Sequence, residues 1–455
     1  MNRCRLVTGG GWLVRQLCTA PEKASEVKQS GNKLRLYRKL SSVDARGETV
    51  SQTLNQYIMD GKAVKKYELG GCIKELRKYK KFQHALEIME WMEMRKINFS
   101  FVDHAVHLDL ISKTKGVVAA ENYFNNLPSE AKNKLTYGAL LNCYSKEAME
   151  DKALAIFEKM NELNYVSTLA FNNLMSLYMR LGQPENVHRL VCEMKQRNVP
   201  LDSFTYHVWM NSYASLNDIA GAERVYEEMK KEDGQKISWT TYSNLAAIYV
   251  KAEQFQKAES ALKMLEKKVK PRQREAYHFL LSLYGKTGSL SELYRIWNSL
   301  KSVNPVTNMS YLIMFQALSR LKDIEGLTEC YKEWKSSCTT YDIKLANTVV
   351  DAYLSQDMLE EAKLVLEDAT RRGKGYIWKI HEMLMLFFLK HRKLDEALSH
   401  LGAIASGAKD YGWCPSSEVL NAFLKYYEDE KDVDGVQELQ KILKAYNFNP
   451  SLLEE

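Results

Sequence analysis

Apolar residues recur at helical spacing within residues 168–202. Leu174 and Leu181 lie two turns apart on one face, as an amphipathic helix requires. Gly182 predicts the end of that helix, and Pro184 predicts the first turn of a second one. The stretch therefore predicts a two-helix hairpin, which cannot bury its apolar face alone and must stack on copies of itself.

Three columns of side chains repeat along the chain with the period of this hairpin. An aromatic residue early in the first helix recurs every 34 to 36 residues, at Tyr137, Phe171, Tyr206, Tyr242, Tyr277 and Tyr311. A second ring follows seven residues later, at Tyr144, Tyr178, Tyr213, Tyr249, Tyr284, Tyr353, Phe388 and Tyr427. A small residue marks the second helix, at Ala85, Ala120, Ala153, Ala222, Ala258, Ala362 and Ala397. We interpret the rings as the packed seam between hairpins, and the alanines as points of close helix approach.

The columns predict an all-α chain of about eleven helix–turn–helix hairpins. We expect a leader at residues 1–40, an N-terminal helical cap at 41–66 around Leu54 and Tyr57, and a short tail at 452–455. The repeat array fills residues 67–451, with units at 67–100, 101–133, 134–167, 168–202, 203–238, 239–273, 274–307, 308–342, 343–377, 378–416 and 417–451.

The leader has the composition of an organelle transit peptide. Residues 1–40 hold nine Lys/Arg and two Glu, and no acid precedes Glu22. No apolar core of secretory length follows the basic start. Serine is sparse before Ser25, which favours the mitochondrion, with the chloroplast as the alternative. A simple unstructured tail would have a similar composition.

Composition narrows the class of protein further. The remaining residues hold 55 basic and 55 acidic groups, so any basic surface must come from segregation of charge onto one face. The longest strongly apolar run, residues 383–389, is too short to span a bilayer. Eight scattered cysteines without a CxxC pair favour a reducing compartment over a disulfide framework or a zinc site.

The helix sequences resemble a known repeat family. First helices read TYGALLNCY, AFNNLMSLY and TYSNLAAIY, and second helices read KALAIFEKM and GAERVYEEM. These resemble the pentatricopeptide repeat of plant P-type proteins across about 385 residues. The resemblance implies a right-handed superhelical solenoid that binds single-stranded organellar RNA at roughly one base per repeat.

The resemblance also implies base-reading positions, namely the residue after the early aromatic and the last residue of the unit. Asn172 with Asp202 matches a pair associated with uracil, and Asn421 with Ser451 matches one associated with cytosine. Other polar residues in these positions form unfamiliar pairs or lack a partner: His207, Ser238, Ser243 and Asn347. Gly70, Ala105, Gly138 and Leu312 offer no side-chain hydrogen bond to a base. Capping of the next helix is the other role open to Asp202 and Ser238, and it is compatible with base reading.

A basic column lies near the end of the first helices. It contains Lys78, Lys113, Lys146, Arg180, Lys251, Lys286, Arg320 and Lys390. In a stacked array these cations would form a ladder that follows an RNA phosphate backbone and makes binding salt-dependent. The alternative is that each cation complements the helix macrodipole.

No motif of an enzyme or of a metal centre is present. The sequence has no glycine-rich phosphate loop, no GxSxG and no zinc-deaminase signature, and we expect no catalytic residue, cofactor, metal or small-molecule substrate. His104 and His107 are three residues apart, but we interpret them as ordinary helix residues. We therefore expect a protein that binds RNA and acts by occupancy in mitochondrial RNA processing, stability or translation. The alternative is a structural component of a mitochondrial ribonucleoprotein such as the mitoribosome, in contact with rRNA and ribosomal proteins.

Overall fold

The structure is a computed structural model that describes residues 30–43, 47–232, 234, 237–270, 272–338, 340–373, 377–408 and 415–445. The regular structure of these residues is helical: twenty-four α-helices and a short 3₁₀ turn at Ser129–Ala131. The contacts divide the chain into two compact units, residues 1–228 and residues 229–455, with the division inside the twelfth helix.

The first twelve helices form the first unit and the division point. They are α1 (Ser30–Ser41), α2 (Val50–Met59), α3 (Lys66–Lys78), α4 (Phe82–Met94), α5 (Phe101–Lys115), α6 (Val117–Asn125), α7 (Lys134–Lys146), α8 (Glu150–Glu162), α9 (Thr168–Leu181), α10 (Glu185–Gln196), α11 (Ser203–Ser215) and α12 (Ile219–Glu232).

The remaining twelve helices belong to the second unit. They are α13 (Trp239–Lys251), α14 (Phe255–Lys268), α15 (Arg274–Thr287), α16 (Leu290–Val303), α17 (Asn308–Leu321), α18 (Ile324–Ser337), α19 (Ile343–Leu354), α20 (Leu359–Arg372), α21 (Trp378–Lys390), α22 (Leu394–Ala408), α23 (Ser417–Glu430) and α24 (Val433–Ala445). From α5 onward, each odd-numbered helix begins at the first residue of a unit expected from the sequence, and α3 begins one residue earlier.

One residue with positive φ marks the turn of each hairpin. In the hairpin of residues 168–202 this residue is Gly182, with φ 74° and ψ 28°. Pro184 directly precedes α10, so both turn residues predicted from the sequence are confirmed. Glycine, which adopts positive φ at little cost, serves only three of the turns. The turn residues along the described chain are Lys80, Gly116, Ala148, Gly182, Asn217, Glu253, Gly288, Lys322, Asp357, Arg392 and Lys431.

The aromatic and alanine columns form the seams between helices, as expected. Phe171 and Tyr206 are fully buried, whereas Tyr137 and Tyr277 are half-buried. Phe171 meets Phe157 of the preceding hairpin, with ring centroids 5.2 Å apart. All seven alanines of the third column are buried. Neighbouring hairpins thus share one apolar core, which holds the first helices in a regular row within each unit.

The N-terminal cap begins earlier than the sequence indicated. The predicted cap helix is present as α2, with Leu54 and Tyr57 buried. The expected leader of residues 1–40, however, overlaps α1, whose Leu36 and Leu40 are buried and which contacts α3. These two leucines cover apolar surface of the first hairpin, so the cap includes residues from Ser30 onward. The earlier part of the leader lies outside the described residues.

Candidate nucleic-acid interface

One stripe of each first helix contains both kinds of candidate binding residue. The base-reading position, the residue four later and the cation eight later lie on the same face, because a helix repeats every 3.6 residues. In α9 these are Asn172, Ser176 and Arg180, and the Ser176 hydroxyl donates to the Asn172 carbonyl oxygen at 2.7 Å. The stripe therefore brings base-reading and phosphate-binding candidates onto one surface.

Asn172 is held firmly within the seam between two hairpins. Its Nδ2 donates to Asp202 Oδ1 at 3.2 Å, and its Oδ1 accepts from the Thr205 hydroxyl at 2.8 Å. Asp202 also caps α11 by accepting from the Thr205 backbone N–H at 2.8 Å. The Asn172 side chain is 1% exposed. The pair predicted to read uracil is thus present, and the capping alternative for Asp202 is also realised.

Most other base-reading candidates are covered too. His207 and Ser243 are buried, and burial lowers the pKa of His207 to about 4, so its imidazole is neutral at pH 7. Ser238 is half-buried and caps α13 by accepting from the Thr240 backbone N–H. Asn347 is half-buried, and its Oδ1 is a buried acceptor without a hydrogen-bond partner. Asn421 is exposed, and Ser451 lies outside the described residues.

Apart from Lys78, whose ammonium lies over the Tyr79 ring, five cations of the basic column are exposed and lack a carboxylate partner. Within the residues that the structure describes, none of them makes an ion pair. They are Arg180 in the first unit and Lys251, Lys286, Arg320 and Lys390 in the second. Because a lone surface cation gains little from its own helix end, these side chains remain available to an external anion.

The carboxylates that balance the chain's charge lie elsewhere. Five ion pairs between successive repeats join one second helix to the next, which separates their carboxylates from the first-helix stripe. They are Lys152–Glu121, Lys195–Glu228, Arg295–Glu266, Lys301–Glu333 and Lys335–Asp368. A chain whose body has no net charge therefore has unpaired cations on one helix face.

The first three repeats differ from the later ones, because the carboxylate of Asp109 pairs with a cation from each of them. Asp109 Oδ2 accepts from Arg77 at 2.9 Å and from Lys113 at 2.5 Å, and its Oδ1 lies 3.6 Å from the Lys146 ammonium. Burial favours the neutral acid, but these cations outweigh it and hold the Asp109 pKa below its usual range. Lys78, the cation expected here, instead lies over the Tyr79 ring. The residue that joins the cluster is its neighbour Arg77, which the column analysis missed.

An exposed apolar column was also missed. It lies three residues before the base-reading position and so on the same helix face. Its members are between 39% and 58% exposed. The sequence signal that could have revealed this column is an apolar residue at a first-helix position that does not belong to the repeating set of buried residues. The column contains Tyr67, Val102, Leu135, Leu169 and Met309. Such side chains offer flat or apolar surface against which unpaired bases can stack.

Comparison with known proteins identifies the family. A model of the PPR repeat family matches residues 166–215, and a PPR repeat model matches residues 135–165, 204–233 and 345–373. The pentatricopeptide repeat-containing protein At1g02370, mitochondrial, of Arabidopsis thaliana is 49% identical over 422 residues, which cover 91% of this chain and 78% of that protein. The chain is a pentatricopeptide repeat protein. Assignment to the P-type subfamily is compatible with these matches and stays a prediction.

Other relatives of this pentatricopeptide repeat protein extend the comparison. The protein At4g01990, mitochondrial, of Arabidopsis thaliana is 46% identical and covers 94% of this chain and 86% of its own length. Large ribosomal subunit protein mL101 (rPPR4) of the same plant is 43% identical, covering 90% of this chain and 84% of that protein. The names of the first two relatives confirm the mitochondrial location expected from the leader.

A solved structure shows the same fold. Maize PPR10 has a TM-score of 0.55 at 15% sequence identity, covering 87% of this chain and 61% of PPR10. The chain thus spans about three fifths of PPR10. PPR10 in complex with an 18-nt psaJ RNA element gives a TM-score of 0.52 at 16% identity, covering 94% of this chain and 65% of PPR10. The all-α repeat architecture predicted from the sequence is confirmed.

The two histidines of α5 share a tyrosine in this pentatricopeptide repeat protein. The Tyr123 hydroxyl lies 2.9 Å from His104 Nδ1 and 3.2 Å from His107 Nδ1. Burial lowers the pKa of His107 to about 4. Among the described residues, no three potential metal ligands come together. In the same part of the chain, no helix has both the length and the apolar character that a bilayer span requires.

Proposed function

We propose that this pentatricopeptide repeat protein binds single-stranded RNA in plant mitochondria along its first-helix stripes. The observation that supports this most strongly is the set of five exposed cations without a carboxylate partner, on a chain that has several inter-repeat ion pairs on its second helices. Phosphate oxygens are strong acceptors for such cations. A relative of the same fold, PPR10, is seen in complex with RNA.

Backbone contacts and stacking dominate this binding, and base identity contributes less. Asn172, His207 and Ser243 are at most 5% exposed, so a base edge reaches them only if the seam opens. The exposed apolar column instead lies next to positions without a hydrogen-bonding side chain, such as Gly70 and Gly138. Stacking tolerates any base, and phosphate contacts carry no sequence information. We expect modest selectivity, concentrated at repeats such as the one with Asn421.

Occupancy is the mode of action that this interface supports. We infer that the protein protects or remodels a bound transcript, or exposes it for processing or translation, without catalysing a reaction or using a cofactor. A bound array excludes nucleases and competing RNA structure from the segment that it covers.

Crosslinking and sequencing of RNA bound to the tagged protein in isolated mitochondria tests this function. We expect short protected segments from one or a few transcripts. The matched control replaces Arg180, Lys286 and Arg320 with glutamine, which removes charge from the stripe and keeps side-chain length. Equal recovery of RNA with this variant and with the wild type would contradict the proposal.

A structural role in the mitoribosome is the second candidate. The specific observation in its favour is the relative mL101, a large ribosomal subunit protein that is 43% identical over most of both chains. Closed base-reading positions also suit a fixed rRNA partner, since recognition there needs shape more than base identity. Sedimentation of mitochondrial lysate separates the candidates: stoichiometric co-migration with the large subunit supports the ribosomal role. Migration apart from ribosomes, with one enriched transcript, supports occupancy.

A further inference from the structure

Like-charged neighbours occur at two places in the basic column. Lys113 of α5 and Lys146 of α7 are one such pair, and both contact Asp109. Lys286 of α15 and Arg320 of α17 are the other, and no carboxylate of the described residues pairs with either. In each place, the two cations occupy the same position of two consecutive repeats. The first place has the Asp109 carboxylate between its cations, and the second has no paired carboxylate within the described chain.

A glycine lets the two helices that carry the second pair approach each other closely. Gly285, directly before Lys286, is where α15 meets α17: a Cβ at this position would lie 2.7 Å from the Ala317 Cβ. Two helix backbones therefore approach closely just before the two cations. Partial burial and the charge of Arg320 both lower the pKa of Lys286, and no carboxylate of the described residues pairs with either side chain.

At the Lys113–Lys146 pair, a carboxylate offsets the repulsion between the two cations. Asp109 is 7% exposed, and its carboxylate accepts from Lys113 while it faces Lys146 and Arg77. A carboxylate and a phosphodiester each present two oxygen acceptors with a single negative charge. An anion with this charge and spacing is therefore what the Lys286–Arg320 pair lacks.

We propose that Lys286 and Arg320 jointly hold one RNA phosphate as the principal anchor of the interface. We further propose that Asp109 occupies the equivalent position in the first repeats and withholds Arg77, Lys113 and Lys146 from RNA. This inference rests on the proposed RNA-binding function. Lys113 and Lys146 therefore add little to RNA affinity, whereas the Lys286–Arg320 pair adds most.

The test is the salt dependence of RNA binding by matched double variants of the full chain. Fluorescence anisotropy with a labelled single-stranded RNA of mixed sequence gives the slope of log Kobs against log salt concentration. Replacement of Lys286 and Arg320 with glutamine removes one phosphate contact, so the slope flattens by about 0.7 and Kd rises about tenfold or more. Replacement of Lys113 and Lys146 with glutamine leaves the slope within error of the wild type. Circular dichroism melting shows that both variants are folded.

The variant Asp109→Asn tests the opposite effect, because it removes the carboxylate and leaves the cations in place. It releases three cations, so we expect a slope about 0.7 steeper and tighter binding. Equal loss of slope in the two double variants, or an unchanged slope in Asp109→Asn, would overturn the inference while RNA binding stands. Absence of salt-dependent RNA binding by the wild type would overturn the proposed function as well. If Asp109→Asn does not fold, the comparison of the two double variants decides the question alone.

Discussion

At the scale of single residues, Asp202 serves two neighbouring repeats. It caps α11 through the Thr205 backbone N–H and orients the Asn172 amide of the preceding hairpin. Sequence reasoning gave base reading and capping as compatible roles but did not establish either, because a pattern of residue types does not show which partners a carboxylate has. In the structure, one oxygen of Asp202 has both partners. The residue therefore links local helix stability to the shape of the interface.

Loss of this carboxylate should destabilise the fourth and fifth repeats. We expect Asp202→Ala to lower the free energy of unfolding by about 1 kcal/mol, up to about 2 kcal/mol, because an alanine N-cap accepts no hydrogen bond. Asp202→Asn should retain most of the stability, since asparagine is an equally good cap. Urea denaturation followed by circular dichroism measures both. Wild-type stability in Asp202→Ala would show that capping contributes nothing here.

Buried histidines make the fold sensitive to mild acid. Burial lowers the pKa of four of them to about 4, against about 6.5 in an unfolded chain. They are His107, His207, His278 and His381. Between these two values the unfolded state binds more protons, so the free energy of unfolding falls as pH decreases. We expect the melting temperature to drop steadily from about pH 7 to about pH 5.

A single substitution isolates one of these contributions. His207→Gln removes one titrating group, and the variant should lose less stability than the wild type over the same pH interval. Thermal melts at several pH values in one buffer series give the comparison. Parallel pH profiles for the two proteins would contradict the assignment of His207 as neutral in the folded state.

At the scale of helices, close approach depends on small residues that sequence columns only partly reveal. The alanine column was visible because it recurs in seven units, and its members are all buried. Gly285 was not visible, because it contacts Ala317 in just one pair of first helices. Alanine at Gly285 should therefore cost roughly 1–3 kcal/mol through overpacking.

Gly70 provides the matched control for that change. It also lies inside a first helix, α3, but a Cβ there meets no heavy atom within 4 Å. Gly70→Ala should raise the free energy of unfolding by up to about 1 kcal/mol, because alanine is the better helix former. Denaturation of both variants tests the difference in sign. Equal effects would mean that α15 and α17 have room to separate.

The hairpin turns show where prediction from sequence stops. Gly182 and Pro184 marked one turn correctly, and the ring columns fixed the register of the first helices. Eight of the eleven turns place a non-glycine residue at positive φ, and at six of them, such as Ala148, residue type gives no warning because the residue is neither Asn nor Asp. The candidate site shows the same limit. The basic column was visible in the sequence, but the contacts of Asp109 with Arg77 of α3 and Lys146 of α7 depend on packing between helices.

At the scale of the whole molecule, the proposed RNA binding depends on segregation of charge. The net charge of the chain resides in the leader, so composition alone gives the repeats no affinity for a polyanion. The structure separates paired from unpaired charges. Acids of the second helices engage lysines of neighbouring repeats, while five cations of the first helices have no such partner. The second helices thus act as the neutral support of a basic stripe within each unit.

The salt dependence of RNA binding by two charge-matched variants tests this claim most directly. One variant replaces Arg180, Lys251, Lys286, Arg320 and Lys390 with glutamine. The other replaces five ion-paired second-helix lysines: Lys152, Lys159, Lys195, Lys301 and Lys363. With a mixed-sequence single-stranded RNA, the first should flatten the slope of log Kobs against log salt by about 3, and the second should leave it nearly unchanged. Equal slopes for the two variants would contradict the account.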